Sequence, residues 1–278
     1  MIVVEFLVLL FVGSIAAGLL GSIVGLGGGV IIIPVLTILL NVNIHYAIGA
    51  SIISVIATSS GAAATYVKDK MTNLRIGMFL ELATTTGAIV GAASAVYLSS
   101  MVLEIIFGSI LLVSLVPLVR KIGEDMPPKQ ELKGIAKTLS LKGEYKELDG
   151  KLVEYNATNP KAGLSGMFAA GLISGLLGIG SGTFKVISMD VAMKLPMKVS
   201  TTTSNFMIGV TAAASAGIYY ARGDINPFIA APVALGILIG SYGGTRLLLR
   251  AKNSFVRKVF AIVLAVSAIE MILRAVGI

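Results

Sequence analysis

The stretch Gly-Leu-Leu-Gly-Ser-Ile-Val-Gly-Leu-Gly-Gly-Gly at residues 18–29 places a cluster of glycines in the middle of a long apolar segment. Residues 6–40, which surround it, contain no Asp, Glu, Lys, Arg or His. An apolar run of roughly 18 or more residues indicates a membrane span. Glycine is unfavourable inside a helix and readily adopts the conformations of a turn. The stretch therefore predicts a helix that breaks at membrane depth and then restarts.

A second copy of this stretch, Gly-Leu-Ile-Ser-Gly-Leu-Leu-Gly-Ile-Gly-Ser-Gly, lies at residues 171–182, at an offset of 153 residues. The offset keeps matching residues without a gap, and this favours duplication over a chance alignment of glycines. Its aligned pairs include Gly29 with Gly182, Ser51 with Ser204, Thr58 with Thr211, and Gly87 with Gly240. We therefore predict two membrane repeats, residues 1–120 and 162–278. The polar residues 121–161 between them are predicted to form a loop in water, with a small β-hairpin around Asp149-Gly150.

The composition is typical of a membrane protein with many spans. The 278 residues are 56 % hydrophobic and 13 % charged, with a mean hydropathy of +0.93. A soluble domain of this length needs a far more charged surface. The predicted fold class is an all-α polytopic membrane protein with two inverted repeats, each a glycine-broken helical hairpin plus three transmembrane helices. Further apolar blocks lie at about residues 46–66, 76–98, 101–119, 162–194, 199–220, 227–245 and 259–273.

The same composition excludes several functions. The chain has no Cys and a single His, so it offers no thiol chemistry, no metal cluster and no catalytic triad. We expect no enzyme activity, no metal and no cofactor. The net charge of +8 reflects basic residues that flank membrane spans, and we expect no nucleic-acid partner. The expected partners are the lipid bilayer and a small-molecule anion substrate, and a homo-oligomer is left open.

The positions of Lys and Arg predict how the repeats are oriented, because basic residues concentrate in the cytoplasmic loops of membrane proteins. If each glycine-broken block is a hairpin, all but three of the 22 basic residues fall on one side. The exceptions are Arg222, Arg274 and Lys185, the last of which lies inside a membrane block. Each half then has an odd number of segments, so the halves insert in opposite orientations. This predicts a cell-membrane protein with a cytoplasmic central loop, both termini outside, and two hairpin tips that meet near the midplane.

The paired glycine breaks predict an anion site. A helix that restarts after a break presents free N–H groups and about half a positive charge, which together attract anions. Two such helix ends that face each other form an anion site without any arginine. The predicted substrate-binding residues at the two tips are Gly27, Gly28, Gly29, Gly180, Ser181 and Gly182.

Polar side chains at membrane depth extend this prediction. The span after the second break begins Ser-Thr-Thr-Thr-Ser-Asn at residues 200–205, and its hydroxyl and amide groups can replace the hydration shell of an oxyanion. Many hydroxyls in membrane helices bond only to their own backbone. Ionisable residues within a membrane are functional by default, so Lys185 is a further substrate-binding candidate and Glu81 a candidate proton carrier. The candidates from the polar span are Thr203, Ser204 and Asn205.

These segments resemble the TauE/SafE sulfite exporter family, also called the toluene sulfonate uptake permease family. The resemblance is carried by residues 18–36, GLLGSIVGLGGGVIIIPVL, together with residues 171–184 and 200–225. It implies transport of small sulfur-containing anions such as sulfite, thiosulfate or organosulfonates. The second half departs from the family pattern, because Ser181 replaces a glycine and Ile187 stands where a proline is usual.

Two functions are consistent with these observations. The first is a secondary transporter that moves a small sulfur-containing anion across the cell membrane by alternating access. The alternative is a cation- or proton-conducting channel or transporter that uses Glu81 and Asp190. The sequence favours the anion transporter, because few acids lie at membrane depth and none recurs at the repeat offset.

Overall fold

The computed structural model describes residues 3–24, 28–68, 72–120, 132, 134–146, 152–248 and 253–276. The described chain is helical apart from two short strands, which confirms the predicted all-α class. The first helices are α1 (Val3–Val24), α2 (Gly29–Pro34), α3 (Ile44–Lys68), α4 (Leu74–Ser94) and α5 (Ser100–Arg120). The central elements are α6 (Ile135–Thr138), β1 (Lys142–Lys146) and β2 (Leu152–Asn156). The last helices are α7 (Pro160–Leu177), α8 (Gly182–Ile187), α9 (Met197–Ala221), α10 (Pro227–Leu248) and α11 (Asn253–Val276).

Helix boundaries recur along the chain at the offset of 153 residues that the sequence shows. The first and last residues of α3 and α9 are each separated by this distance, as are the first residues of α2 and α8. Both short helices continue directly into a π-helical turn, at Val35–Leu39 and at Ser188–Ala192. The duplicated sequence therefore folds locally in the same way twice, down to the same irregular turn after each break.

The helices pair between the first and the last part of the chain. α1 packs against α10 and α4 against α7, while α3 packs against α9 and α5 against α11. Glycines bring two of these pairs close together, as small residues do in membrane helix interfaces. A Cβ atom on Gly87 would overlap the carbonyl of Phe168, and one on Gly240 would overlap the carbonyl of Ile15. Each helix that precedes a break is thus held by a helix from the other part of the chain.

Helix α4 exposes large apolar side chains and buries polar ones. On α4, Met78 and Leu82 are 59 % and 71 % exposed, whereas Glu81 and Thr84 are buried. Exposed apolar side chains around buried polar ones suit an apolar solvent. Two described helical segments, Val4–Gly21 and Leu74–Tyr97, are long and apolar enough to cross a bilayer. Shorter apolar helical segments are Gly29–Leu39, Ile44–Ser60, Ser100–Val116 and Pro227–Gly243.

The two strands form an antiparallel pair beside the start of α4. The Asn73 side-chain amide donates hydrogen bonds to the Tyr155 hydroxyl at 2.9 Å and to the Lys142 carbonyl at 3.2 Å. Burial raises the pKa of the Tyr155 phenol, so the hydroxyl stays neutral and accepts the amide hydrogen. The predicted turn at Asp149-Gly150 lies outside the described residues. The strand pair is therefore attached to the loop that joins α3 to α4.

The close contact between α4 and α7 yields a stability prediction. We expect Gly87→Val to lower the thermal stability of the detergent-purified protein, because the new side chain meets the Phe168 backbone. Overpacking of this kind costs about 1–3 kcal/mol. Gly217→Val is the matched control, since a Cβ atom there has no described atom within 4 Å. Equal shifts of the melting temperature in the two variants would contradict the packing argument.

Candidate functional site

The second helix break is built from left-handed backbone. Gly178 ends α7 with φ 64° and Gly180 has φ 72°, a region that glycine enters without strain. Ser181 precedes α8 with φ 45°, which is unusual for a residue with a side chain. Gly182 is the first residue of α8 and is buried. The chain thus reverses between two helices inside the protein and presents the start of a new helix there.

The first helix break lies against the second. Ser51 on α3 donates a hydrogen bond to the carbonyl of Gly178 at 2.8 Å. A Cβ atom on Gly29, the first residue of α2, would lie 2.7 Å from Ser51 Oγ and 3.4 Å from the Gly178 carbonyl oxygen. Gly28 precedes α2 with φ 72° and is buried, whereas Gly27 lies outside the described residues. α3 therefore brings the described parts of both tips to one place.

Two serines show how polar groups are distributed at the second tip. Ser204 on α9 donates a hydrogen bond to the Gly182 carbonyl at 3.2 Å. Ser181 is 3 % exposed, and its hydroxyl has no hydrogen-bond partner among the described residues. An unsatisfied buried hydroxyl costs about 1–3 kcal/mol. The Ser181 hydroxyl is therefore a group at the tip that a polar ligand can satisfy.

One turn beyond the tip, a buried chain of charged and polar side chains joins three helices. Lys185 on α8 is 0 % exposed and donates a hydrogen bond to the Thr211 hydroxyl at 2.6 Å. The Thr211 hydroxyl on α9 has one hydrogen and lies within donating distance of two acceptors, Glu81 Oε1 at 2.7 Å and the Met207 carbonyl at 2.8 Å. Thr85 donates to Glu81 Oε1 at 3.1 Å. A cation and a carboxylate are thus linked through one hydroxyl inside the protein, and we call this Lys185–Thr211–Glu81 arrangement the buried triad.

No described contact joins the other candidates to the buried triad. The hydroxyl of Thr203 accepts a hydrogen bond from the Asn73 backbone N–H at 3.1 Å, which ties it to the start of α4. Asn205 is half-buried on α9. Asp190 is half-buried in the π-helical turn after α8, and no described contact joins it to Glu81. Within the described ranges no group of three or more His, Cys, Asp or Glu residues is placed to hold a metal ion.

Two residues that the sequence did not single out as binding candidates hold the site together. Ser51 bridges the tips and Thr211 bridges the charges of the buried triad. Both are marked in the sequence by the repeat, since Ser51 aligns with Ser204 and Thr58 with Thr211. Polar residues that recur at the offset of 153 residues were therefore the sequence signal that could have identified these two positions.

Comparison with known proteins gives a consistent family. The sequence model of the family described as "Sulfite exporter TauE/SafE" matches residues 10–271. The chain is 25 % identical over 279 residues to "Probable membrane transporter protein YunE" of Bacillus subtilis (strain 168), covering 98 % of this chain and 99 % of that protein. It is 24 % identical over 230 residues to "Probable membrane transporter protein YdhB" of the same organism, covering 82 % and 85 % respectively. No solved structure matches the chain.

The left-handed backbone of Ser181 gives a prediction that separates conformation from chemistry. Ser181→Gly and Ser181→Ala both remove the hydroxyl, but only glycine adopts φ 45° without strain. We expect the glycine variant to be more stable than the alanine variant by about 1 kcal/mol. Thermal unfolding of both variants in detergent measures the difference. An alanine variant that melts at or above the glycine variant would show that this backbone conformation is not strained.

Proposed function

The chain belongs to the sulfite exporter TauE/SafE family, and from this we propose that it is a secondary transporter of a small sulfur-containing anion. The family and the relatives named as membrane transporters support a membrane-embedded transporter. The substrate class proposed is sulfite, thiosulfate or an organosulfonate. Sulfite is taken from the family description, and the geometry of the site supports an anion as the substrate.

The observation that carries the proposal is the meeting of the two helix breaks at α3. Gly29 and Gly182 each begin a helical segment, and Ser51 lies beside both Gly29 and the Gly178 carbonyl. The first N–H groups of a helix have no acceptor within it and carry partial positive charge. The unpaired hydroxyl of Ser181 adds a donor at the second tip. The Lys185 ammonium, one turn farther on, is a cation with further N–H donors.

The proposed substrate site therefore combines the two tips with the polar side chains behind them. An oxyanion there is surrounded by donors that replace its hydration shell. The described candidates are Gly28, Gly29, Gly180, Ser181, Gly182, Ser204, Asn205 and Lys185, and we keep Gly27 and Thr203 as flanking candidates.

The proposed topology is an inverted repeat. The two arginines that depart from the positive-inside arrangement both have acidic partners. Arg222 pairs with Asp224 at 3.0 Å, and Arg274 pairs with Glu104 at 3.6 Å. Their charges are thus offset locally and do not oppose the orientation set by the other loops. We propose that residues 1–120 and 162–278 insert in opposite orientations, with residues 121–161 in the cytoplasm and both termini outside.

The same arrangement supports transport by alternating access. Each broken helix packs against a helix of the other half, α1 with α10 and α7 with α4. Movement of one half against the other changes the surroundings of both tips together, which exposes the anion to one side at a time.

A cation channel built on Glu81 and Asp190 is less consistent with the contacts. Glu81 is linked to the Lys185 ammonium through Thr211, so its carboxylate is already paired with a cation. A cation at this point would also face the ammonium group. The buried triad therefore favours an anion over a cation as the transported ion.

Flux in reconstituted liposomes tests the proposed function. We expect the purified chain to move radiolabelled sulfite, thiosulfate or an organosulfonate, and we expect Ser181→Ala to weaken the apparent affinity by about tenfold through loss of a donor to a charged ligand. Ser94→Ala is the control, because that hydroxyl bonds its own helix backbone at Val90. Flux of rubidium without flux of any of the three sulfur anions would replace the proposal with the cation channel.

The topology gives a separate prediction, because the natural chain has no cysteine and any introduced thiol is unique. Ser99 and Lys137 are both exposed, and the proposed topology places them on opposite sides. In intact cells a membrane-impermeant maleimide is expected to label Ser99→Cys. Lys137→Cys is expected to react only after the cells are permeabilised. Labelling of both positions in intact cells would overturn the proposed orientation.

A further inference from the structure

The buried triad contains two ionisable groups, which are rare within membrane-spanning segments. Lys185 is 0 % exposed, Thr211 is 0 % exposed and Glu81 is 6 % exposed. Removing an ammonium and a carboxylate from water costs several kcal/mol per ion, and their attraction offsets this cost only partly. Apolar residues of similar volume are often at least as stabilising. A buried pair of this kind therefore needs a reason other than stability.

The repeat shows that the fold itself does not require the pair. At the offset of 153 residues, Lys185 corresponds to Ile32, Glu81 to Ala234 and Thr211 to Thr58. Ile32 is fully buried at the place in α2 that Lys185 occupies in α8. The same architecture is thus built once with an apolar side chain and once with a charge. The charged side chains occur in one half alone. This is expected of a functional group, whereas a group needed for packing would recur in both halves.

The contacts of the triad leave hydrogen-bonding capacity for both a proton and an anion. Lys185 Nζ has three N–H donors, and its hydrogen bond within the described residues uses one of them, to Thr211. Glu81 Oε1 accepts hydrogen bonds, whereas Glu81 Oε2 is buried with no partner among the described residues. Burial of an unpaired carboxylate oxygen is costly, and a proton on that oxygen removes the charge. Oε2 is therefore the atom of the triad that a proton fits.

The charges of Lys185 and Glu81 link binding of the proton to binding of the anion. While Glu81 is ionised, it balances the ammonium of Lys185 through Thr211. Once Oε2 is protonated, the buried ammonium has no counter-charge, and an anion beside it restores neutrality. Binding of the proton and binding of the anion then favour each other, as thermodynamic linkage requires.

Lys185 is the charged side chain that is linked to Glu81 through Thr211. The other charged groups of the helices packed against it lie near the ends of those helices or in the adjoining turn, and all are exposed or half-buried. They are Arg75 on α4, Lys161 on α7, Asp190 after α8, and Lys198 and Arg222 at the ends of α9.

Resting on the proposed function, we propose that the chain is a proton–anion symporter in which Glu81 carries the proton and Lys185 pairs with the anion. Glu81 Oε2 takes one proton from water on the side where the anion enters. The proton leaves from the same oxygen on the other side as the anion departs. Glu81 then balances Lys185 again, and the empty site returns without a net buried charge. Thr211 is a positioning residue that holds the two charges together.

Proton movement in liposomes tests the symport directly. The full chain is reconstituted with a pH-sensitive dye inside, the membrane potential is clamped at zero, and thiosulfate or toluenesulfonate is added outside. Both probes keep a fixed charge near neutral pH, so they do not carry protons themselves. We expect the lumen to acidify as either anion enters. Entry of the anion without acidification would overturn the symport and leave the proposed transport intact, whereas no flux of any sulfur anion would overturn the proposed function.

Variants of Glu81 test whether this residue couples proton transport to anion transport. Glu81→Gln imitates the protonated carboxyl, so we expect anion exchange between the two sides to continue while uptake driven by a pH gradient falls more than tenfold. Glu104→Gln is the control, since Glu104 is also buried but pairs with Arg274. Acidification by Glu81→Gln at the wild-type rate would overturn the assignment.

A binding measurement keeps the test decisive if Glu81→Gln does not fold. In the wild-type protein, thiosulfate affinity measured by thermal shift is expected to rise as pH falls from about 8 to 6, by at most about tenfold per pH unit for one linked proton. An affinity that does not change with pH would overturn the linkage.

The double variant Glu81→Ala/Lys185→Ile separates a functional role from a structural one. It installs the residues that occupy the corresponding positions of the other repeat, Ala234 and Ile32. We expect it to melt at or above the wild-type temperature and to show no pH-driven uptake. Loss of folding in this variant would show that the pair is structural, and would overturn the proposal.

Discussion

The structure depends on one constraint. Where the backbone leaves a helix in an apolar solvent, its polar groups must be enclosed and hydrogen-bonded by the protein itself. The break between α7 and α8 meets this constraint with side chains from neighbouring helices. The Tyr219 hydroxyl lies 2.9 Å from the carbonyls of both Gly175 and Leu176 at the end of α7. Ser51 donates a hydrogen bond to the Gly178 carbonyl, and Ser204 donates one to the Gly182 carbonyl. The broken segment is therefore stabilised by α3 and α9 rather than by its own helix.

Enclosure of the breaks requires close helices, and the glycine contacts between α4 and α7 and between α1 and α10 provide them. In each pair the helix before a break packs against a helix from the other part of the chain. This exchange means that neither break is held by its own part of the chain alone. A transporter with this arrangement can couple the two tips mechanically, since displacement of one part alters the walls around both.

The repeated scaffold carries chemistry that is not repeated. Thr58 and Thr211 are identical at the repeat offset. Lys185 corresponds to Ile32, and Glu81 corresponds to Ala234. Duplication gives two equivalent frameworks, and substitution at a few buried positions then gives one of them a charge. The buried triad thus places charged side chains where the first framework has apolar ones.

The sequence by itself determined the class and the plan of this protein. Apolar blocks, glycine clusters and a constant offset are local properties of the chain, and they predicted the helices and the positions of the breaks. They also identified the second tip, Lys185 and Glu81 as candidates. Only the tertiary structure decided which of these groups meet. Lys185 reaches Glu81 through Thr211, and 130 residues separate Thr211 from Glu81. Helical spacing relates residues on one helix, and contacts between helices arise only when their faces are packed together.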